Sequence, residues 1–382
     1  MKKQQLVTVM GSTGSIGRQA LDVIALHPDR FSVFALCAGR NIDLLLEQAN
    51  RFRPRFVTAE ADFDVSLLPE GTLRLAGPDA VEQIASMEEP DVVVGGISGI
   101  AQLKPLLCAL KANKRVALAN KESIVCAHEL VDACLASGKG ELIPVDSEQS
   151  AIFQCLAGEQ VREVRRVLLT ASGGPFWQLS REELGDITVE QALKHPTWNM
   201  GKKITIDSAT LFNKGLEFME ACYLFHLPPE KIQVVIHPQS IVHSAVEYHD
   251  GTILANISHA DMRIPIQYAM TYPERIVSPA EPLPLEKMVG LTFYPASFER
   301  FASLQMAFDC AKAGGSAPIV YNGANEAAVA LFFERRLGFA KIESAVAYAL
   351  DHHPFSNPTC LEEILEVDRV SRELVLDFAN HR

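Results

Sequence analysis

The sequence predicts an α/β protein in three parts: a parallel sheet covered by helices, then a smaller mixed sheet, then a helical region. The first part is predicted because short apolar runs alternate with segments of helical periodicity. The second is predicted because apolar runs follow one another, two of them separated by an Asp-Gly turn signal. The third is predicted because helical patterns follow a proline-rich stretch.

The first part covers residues 1–146. It opens with the strand "LVTVMG" and a helix from about Ile16 to Ala25, in which Ile16 and Ala20 begin a helical spacing. The strand "FSVFALCA" follows, and then the helix "NIDLLLEQANRF", which Asn41 opens as its N-cap. Further strands are "RFVTA", "PDVVVGG" and "RVALAN", and further helices are "GIAQLKPLLCALKAN" and "ESIVCAHELVDACLASG". This alternation predicts right-handed crossovers and a parallel sheet buried on both faces.

The middle part covers residues 147–277. Its predicted strands are "EVRRVLLTASGG", "KIQVVIH", "SIVHSAVEY" and "TILANIS", and the last two flank the hairpin turn "HDGT". A helix is predicted from about Ser208, with Asp207 or Ser208 as its N-cap. Residues 278–298 are rich in proline and are predicted to be a linker.

The last part, residues 299–382, is predicted to be helical. Asn325 is expected to cap "EAAVALFFERR", and Thr359 with Glu362 resembles a capping box for the final helix. One helix face is predicted from the spacing of Phe301, Leu304, Phe308 and Ala311.

Composition excludes several classes of protein. The 382 residues are 48 % hydrophobic and 21 % charged, which is typical of globular domains with a sizeable core. The net charge of -12 argues against a protein that coats nucleic acid. The eight cysteines form no Cys-x-x-Cys pair, so we expect buried thiols in a reducing compartment. The first apolar run is too short for a signal peptide and no run has membrane-spanning length, so we expect no membrane contact and a cytoplasmic protein.

Three glycines between the first strand and the first helix indicate a nucleotide site. Gly11, Gly14 and Gly17 have the spacing G-x-x-G-x-x-G, which differs from the usual G-x-G-x-x-G. A tight turn alone would explain a glycine trio. The strand before it and the helix after it favour a Rossmann-like domain that binds a pyrophosphate at the helix start.

The end of the second strand indicates which dinucleotide is bound. It runs into Gly39, Arg40 and Asn41, and this stretch contains no acid for a ribose 2′-hydroxyl. An arginine there suits the 2′-phosphate of NADPH, although Arg40 as a solvated loop residue is the alternative.

Two acids follow the strand "LIPV". If that strand continued, alternation would place Asp146 and Glu148 on the same side of the chain. Such a pair offers hard oxygen ligands to a divalent cation. The alternative is that Asp146 or Ser147 is the N-cap of the helix "EQSAIFQCLAG" and that Glu148 is a surface acid.

The segment "HPTWNMGKKITIDSATLFNKGLE" supplies a third acid and a pocket for an anion. Asn213, Lys214 and Glu217 fall within one helical turn, and an asparagine, a lysine and a nearby serine suit a phosphate group. Ser172, before two glycines at a strand end, can direct its hydroxyl at the same anion. In the loop before this helix, Trp198 is either a substrate lid or, more commonly for such a residue, a core anchor.

The chain resembles the 1-deoxy-D-xylulose 5-phosphate reductoisomerase family over essentially its whole length. The motifs that carry the resemblance are "GSTGSIG", "LANKES", "PVDSEQSA", "TASGGPF", "HPTWNMGKKITIDSATLFNKGLE" and "ANISHADMRIPIQYA", in that order. The resemblance implies rearrangement of 1-deoxy-D-xylulose 5-phosphate and its reduction by NADPH to 2-C-methyl-D-erythritol 4-phosphate, a precursor of isoprenoids. It also implies a homodimer paired through the middle sheet and a lid near residues 195–205.

The resemblance assigns roles to individual residues. Mg²⁺, Mn²⁺ or Co²⁺ would be bound by Asp146, Glu148 and Glu217. The substrate phosphate would be held by Ser172, Ser208, Asn213 and Lys214, with His195 nearby. The rest of the substrate would meet Lys121, Ser147, Glu148 and Trp198. The NADPH site would be lined by Thr13, Gly14, Ser15, Ile16, Gly39, Arg40, Asn41, Asn120, Glu122 and Gly201.

Two other functions stay open on the residues alone. A different NADPH-dependent dehydrogenase would explain the first part equally well, but it would need neither three acids nor a phosphate pocket. A non-catalytic NADPH sensor would tolerate loss of the acids. His237, His243 and His259 are too widely spaced to favour a transition-metal site, and we expect structural histidines.

Overall fold

The computed structural model describes residues 4–180, 182–185, 187–194, 201–284, 286 and 290–381. The chain divides into two compact units. Unit one comprises Met1–Ser123, Glu129–Ser150 and Asp261–Glu281. Unit two comprises Ile124–His128, Ala151–Ala260 and Pro282–Arg382.

The strands, in chain order, are β1 Gln5–Met10, β2 Phe31–Ala38, β3 Phe56–Ala59, β4 Leu73–Arg74, β5 Val92–Gly95, β6 Arg115–Leu118, β7 Glu141–Pro144, β8 Val164–Ala171, β9 Ile232–Ile236, β10 Val242–Tyr248, β11 Ile253–Ile257 and β12 Tyr294–Pro295. The helices are α1 Ser15–Leu26, α2 Ile42–Phe52, α3 Ala80–Ser86, α4 Leu103–Lys111, α5 Lys121–Ser137, α6 Ser147–Cys155, α7 Val189–Ala192, α8 Lys202–Ala209, α9 Phe212–Leu224, α10 Arg263–Thr271, α11 Ala302–Ala313, α12 Ala317–Phe333, α13 Lys341–His352 and α14 Leu361–His381.

Unit one is built on a parallel sheet of seven strands in the order β4-β3-β2-β1-β5-β6-β7. Its central strands are mostly apolar, and Val92, Val93 and Val94 are fully buried, as expected for a sheet covered on both faces. The strand order reverses beside β1, and the crevice at such a switch point is where open α/β sheets bind ligands. The predicted Rossmann-like fold is confirmed.

The segment Asp261–Glu281 belongs to unit one. Hydrogen bonds connect α10 and the residues after it to the rest of that unit. His27 Nε2 lies 3.0 Å from Gln267 Oε1, and Arg115 Nη1 donates to the carbonyl of Tyr272 at 2.8 Å. The division at residues 146, 277 and 298 stays a prediction, and these compact units follow other boundaries.

Unit two contains the mixed sheet, in the order β11-β10-β8-β9-β12. Strands β8 and β9 are parallel, and the other neighbours are antiparallel. The predicted hairpin joins β10 to β11. Within the predicted linker, Tyr294 and Pro295 form β12 at the edge of this sheet.

Two predicted helix starts and one predicted capping pair are wrong, although the final helix begins at Leu361 as predicted. Asp207 and Ser208 lie in the last turn of α8, not before a helix start. The β-branched "ITI" run has low helix propensity, but burial of residues 205–209 stabilises the helix. Asn325 lies inside α12, which begins at Ala317 and is buried along most of its length. The backbone amide of Thr359 donates a hydrogen bond to the carboxylate of Glu363 at 2.6 Å, so Glu363 rather than Glu362 is its partner.

The thiols are structural. Within the described part of the chain, no cysteine forms a disulfide. Burial raises the pKa of four of them well above the ordinary range, to about 12 for Cys37, Cys222 and Cys310 and to about 11 for Cys155. Such groups stay protonated and unreactive near neutral pH.

Among the helices of the described residues, none has the length and apolar character that crossing a membrane requires.

Candidate active site

The turn after β1 is shaped by glycines that cannot be replaced without displacing backbone. Gly11 has φ +74°, and a Cβ there would lie 2.5 Å from the carbonyl oxygen of Gly96 beyond β5. A Cβ at Gly17 would lie 2.3 Å from the carbonyl oxygen of Gly11. The turn, the end of β5 and the start of α1 are therefore in direct backbone contact, as a pyrophosphate site needs.

The start of α1 suits an anion. Gly14 is its N-cap, no side chain among the described residues caps it, and its first turn contains no acid. Gly14 and Ser15 are exposed, and Thr13 and Ile16 are half-buried beside them. The first backbone amides of a helix, together with its dipole, stabilise a phosphate at such a position.

An exposed arginine follows the end of β2. The Arg40 side chain is 90 % exposed, and its Nε lies 3.9 Å from Glu60 Oε2. Gly39 precedes it, and Asn41 caps α2 as predicted, accepting from the amide of Leu44 at 3.2 Å. Sequence reasoning missed Glu60, although the end of β3 lies next to the end of β2 in a parallel sheet.

Asn120 organises the strand ends beside this crevice. Its Nδ2 donates to the carbonyls of Ile97 and Gly99 at 3.0 and 2.9 Å and to Glu122 at 3.0 Å. Its Oδ1 accepts from the amide of Ser123 at 2.8 Å, which caps α5. Asn120 therefore connects the end of β6 to the loop after β5 through its side-chain hydrogen bonds. Its partner Glu122 is half-buried.

A buried ion pair lies at the carboxyl ends of β6 and β7. Lys121 Nζ is 2.7 Å from Asp146 Oδ2, and these side chains are only 5 % and 11 % exposed. Two buried charges are costly unless they are paired, and they are retained where function needs them.

Asp146 and Glu148 lie at a strand-to-helix turn, so the alternation predicted from a continuing strand is wrong. Strand β7 ends at Pro144 and α6 begins at Ser147. The carboxylate of Asp146 accepts from the amide of Glu148 at 3.3 Å, which is the capping role considered as the alternative. Ser147 donates its hydroxyl to Glu148. These carboxylates form an all-oxygen donor set, which fits a hard cation such as Mg²⁺.

In unit two, the turn after β8 contacts α8. Ser172 lies at the strand end, and its Oγ accepts from the amide of Gly174 at 3.3 Å. A Cβ at Gly174, which has φ +67°, would lie 2.6 Å from the carbonyl oxygen of Ser208. The structure therefore places the Ser172 turn directly against Ser208.

The first two turns of α9 contain three of the predicted site residues. Asn213 donates to one oxygen of Glu217, and Lys214 pairs with the other oxygen. The Lys214 and Glu217 side chains are 4 % and 2 % exposed. The shared helix face predicted for Asn213 and Glu217 is confirmed.

The lid prediction falls mostly outside the described residues. His195 and Trp198 lie outside them. Gly201 is the exposed N-cap of α8, and residues 202–205 form the first turn of that helix.

The predicted structural histidines of unit two contact backbone carbonyls. His237 Nδ1 lies 2.9 Å from the carbonyl oxygen of Thr292, and His243 Nε2 lies 3.2 Å from that of Ser258.

A parallel sheet with a glycine turn at its switch point and charged residues at its strand ends defines a dinucleotide-dependent α/β oxidoreductase. Comparison with known proteins narrows this class. Three family models match the chain: 1-deoxy-D-xylulose 5-phosphate reductoisomerase at residues 7–128, its C-terminal domain at 142–225, and the DXP reductoisomerase C-terminal domain at 257–374.

Relatives of the same name match the whole chain. The 1-deoxy-D-xylulose 5-phosphate reductoisomerase of Chlorobium chlorochromatii is 49 % identical over 377 residues, which are 97 % of this chain and 99 % of the relative. That of Desulforamulus reducens is 48 % identical over 380 residues and 98 % of both chains. The chain belongs to the 1-deoxy-D-xylulose 5-phosphate reductoisomerase family and is an NADP-dependent oxidoreductase.

Solved structures agree with this assignment. The Zymomonas mobilis reductoisomerase in complex with NADPH matches with a TM-score of 0.92, 40 % identity and full coverage of both chains. A DOX-P reductoisomerase bound to NADPH, fosmidomycin and magnesium matches with a TM-score of 0.92, 38 % identity and 98 % coverage of both.

Proposed function

We propose that this chain converts 1-deoxy-D-xylulose 5-phosphate to 2-C-methyl-D-erythritol 4-phosphate, using NADPH and a divalent cation, in isoprenoid precursor synthesis. The observation that carries the proposal is the buried Lys121–Asp146 pair at the carboxyl ends of β6 and β7. The pair supports the proposal because it offers an ammonium group and a carboxylate at the edge of the sheet where such folds bind ligands.

Asp146, Glu148 and Glu217 are proposed to bind Mg²⁺, Mn²⁺ or Co²⁺. Support comes from their all-carboxylate chemistry and from a related reductoisomerase solved with magnesium. A bound cation supplies Lewis-acid stabilisation of negative charge on substrate oxygens, and NADPH supplies the hydride. Ser147, which donates to Glu148, is proposed to contact the substrate backbone.

Lys121 is proposed to move a proton or to stabilise negative charge on the substrate. Its ammonium group already donates to Asp146 in a buried environment. A buried cation beside developing negative charge acts more strongly than it would in water. A lysine there is therefore suited to stabilise an oxyanion while the carbon skeleton rearranges.

The substrate phosphate is proposed to bind Ser172, Ser208, Asn213 and Lys214, with His195 nearby and Trp198 in a lid near residues 195–205. The packing of the Ser172 turn against Ser208 supports this pocket, as does the buried Lys214. The phosphate does not react, so its binding energy serves to orient the carbons that do.

The NADPH pyrophosphate is proposed to bind at the start of α1, and its 2′-phosphate at Arg40. The uncapped helix start and the exposed guanidinium support this placement. The residues proposed to line the site are Thr13, Gly14, Ser15, Ile16, Gly39, Arg40, Asn41, Asn120, Glu122 and Gly201.

The chain is also proposed to act as a homodimer in the cytoplasm. The buried, protonated thiols support a reducing compartment. The apolar edge strand β11 supports pairing with a second copy, because Ile253, Leu254 and Ile257 are 52 %, 39 % and 42 % exposed.

The test is NADPH oxidation, followed by absorbance, with 1-deoxy-D-xylulose 5-phosphate and Mg²⁺. Turnover is expected to fall to background with EDTA and to return with excess Mn²⁺, because the acids need the cation to bind the substrate oxygens. Asp146→Asn should abolish turnover while NADPH still binds. Folded, NADPH-binding protein that does not consume the cofactor, or turnover that persists in EDTA, would overturn the proposal.

A further inference from the structure

A buried carboxylate next to the proposed phosphate pocket is held by the C-terminal helices. Asp207 is 1 % exposed and immediately precedes Ser208 in α8. Its Oδ2 lies 2.7 Å from Lys203 Nζ, one turn earlier in the same helix. Its Oδ1 accepts from Nδ2 of Asn325, on α12, at 2.9 Å. A buried carboxylate requires such partners, so the position of α8 is coupled to Asn325.

A second tie holds the junction between α8 and α9. Ser303, fully buried at the start of α11, donates its hydroxyl to the carbonyl of Thr210 at 2.7 Å. Tyr321 of α12 donates to the carbonyl of Ser303 at 3.1 Å. Burial holds the pKa of Tyr321 well above its ordinary value, so its hydroxyl stays a donor.

The junction also fixes where α9 begins. Leu211 has φ +57°, a left-handed conformation that is strained for leucine and needs support from its surroundings. A Cβ at Gly215 of α9 would lie 2.0 Å from the Tyr321 hydroxyl oxygen, so α9 rests directly on that side chain. Ser208 lies on one side of the junction, and Asn213 and Lys214 lie on the other.

We propose that Asn325 is a positioning residue for the phosphate pocket, acting through Asp207 on Ser208. The inference rests on the proposed function, because it assumes that Ser208, Asn213 and Lys214 bind a phosphate monoester. Without the amide of Asn325, Asp207 loses its hydrogen bond to α12, and Ser208 is then held less firmly in position relative to Asn213 and Lys214 on α9. Asn325 itself touches neither substrate nor cofactor.

The experiment compares Asn325→Ala with a matched control, Asn322→Ala. Asn322 lies one turn earlier in α12 and is equally buried, but its amide points to Glu326 Oε1 at 3.5 Å rather than to α8. The readouts are the KM for the phosphorylated substrate, the inhibition constant of inorganic phosphate, the dissociation constant of NADPH and the melting temperature.

Asn325→Ala is expected to raise the substrate KM and the phosphate inhibition constant about tenfold, and to leave NADPH binding within about twofold. Asn322→Ala is expected to leave both phosphate readouts within about twofold, even where it lowers the melting temperature. Equal effects of the two variants on the phosphate readouts would overturn the proposal, as would an Asn325→Ala variant with wild-type phosphate readouts.

A residue exchange keeps the proposal testable if Asn325→Ala does not fold. Asp207→Asn combined with Asn325→Asp keeps one amide and one carboxylate in contact. The double variant should recover at least half of the phosphate affinity lost in Asn325→Asp alone, and no recovery would count against the proposal. Wild-type protein without turnover or phosphate inhibition would instead refute the proposed function, so the two failures are distinguishable.

Discussion

Lys214 is the residue on which we expect the proposed phosphate pocket to depend most. Its ammonium is buried beside Glu217, and a charged donor there contributes more to phosphate binding than a neutral one does. Lys214→Ala is expected to lower kcat/KM on the order of 100-fold, since a hydrogen bond to a charged group contributes about 1.5–3 kcal/mol. Steady-state kinetics check this, with circular dichroism to show that the fold is intact.

The control for Lys214 is Lys312→Ala in the same unit. Lys312 is 66 % exposed and lies 3.8 Å from Glu230, so its removal should change kcat/KM less than twofold. An unchanged kcat/KM in Lys214→Ala would remove this lysine from the site.

Arg40 is the residue proposed to distinguish NADPH from NADH. Its guanidinium is exposed at the end of β2, where a 2′-phosphate would neutralise it. Arg40→Ala is expected to raise the dissociation constant of NADPH about tenfold or more and to leave that of NADH within about twofold. Fluorescence titration at two salt concentrations measures both, and the NADPH difference should shrink at high salt because the charge is exposed.

Arg51→Ala is the matched control, since Arg51 is an exposed arginine in the last turn of α2. The hypothesis fails if Arg51→Ala weakens NADPH binding as much as Arg40→Ala does.

At the scale of elements, sequence reasoning predicted unit one well and α8 poorly. The strands between Gln5 and Pro144 are rich in apolar residues, and Asn41 caps α2 as its sequence position predicts, so local pattern and tertiary structure agree. The helix around Asp207 follows from burial against α12, which is encoded more than 100 residues later. Local propensity could not reveal it.

The same limit applies to the site. The glycine turn and the shared face of Asn213 and Glu217 could be predicted because the residues concerned lie close together within one segment. Ser303 and Asn325 could not be predicted, because each contacts a segment about 100 residues away in the chain. Contacts of this kind leave no periodic signal in a single sequence.

Helix α1 packs closely on the glycine turn through Gly17. Gly17→Ala places a Cβ 2.3 Å from the carbonyl oxygen of Gly11, so α1 must move away from the turn. We expect a loss of about 1–3 kcal/mol in the free energy of unfolding and much weaker NADPH binding. Thermal melts and cofactor titration measure the two effects.

Gly338→Ala is the control for Gly17, because no atom lies within 4 Å of a Cβ at Gly338. It should leave both the melting temperature and NADPH binding unchanged. Wild-type NADPH affinity in Gly17→Ala would contradict the role given to the turn.

At the scale of the whole molecule, the chain crosses between its compact units more than once. Asp261–Glu281 belongs to unit one although it follows most of the mixed sheet, and Pro282–Arg382 then returns to unit two. Each unit is therefore held together by contacts between segments that are far apart in the sequence. We expect deletion of the last helices to destabilise unit two as a whole.

Strand β11 exposes apolar side chains at the edge of the mixed sheet. It is an edge strand with four of its five residues exposed, all four of them apolar, and such an edge favours pairing with another strand unless something covers it. If a second copy covers it, light scattering after gel filtration should give about twice the 41.9 kDa chain mass. Replacing Ile253 and Ile257 together by Glu should halve that mass, because charges buried in an apolar contact cost several kcal/mol. The matched control is Val65→Glu, which changes an apolar side chain 55 % exposed in unit one and should leave the mass unchanged. A wild-type chain that elutes at single-chain mass, or a double variant that still dimerises, would show that β11 does not join two copies.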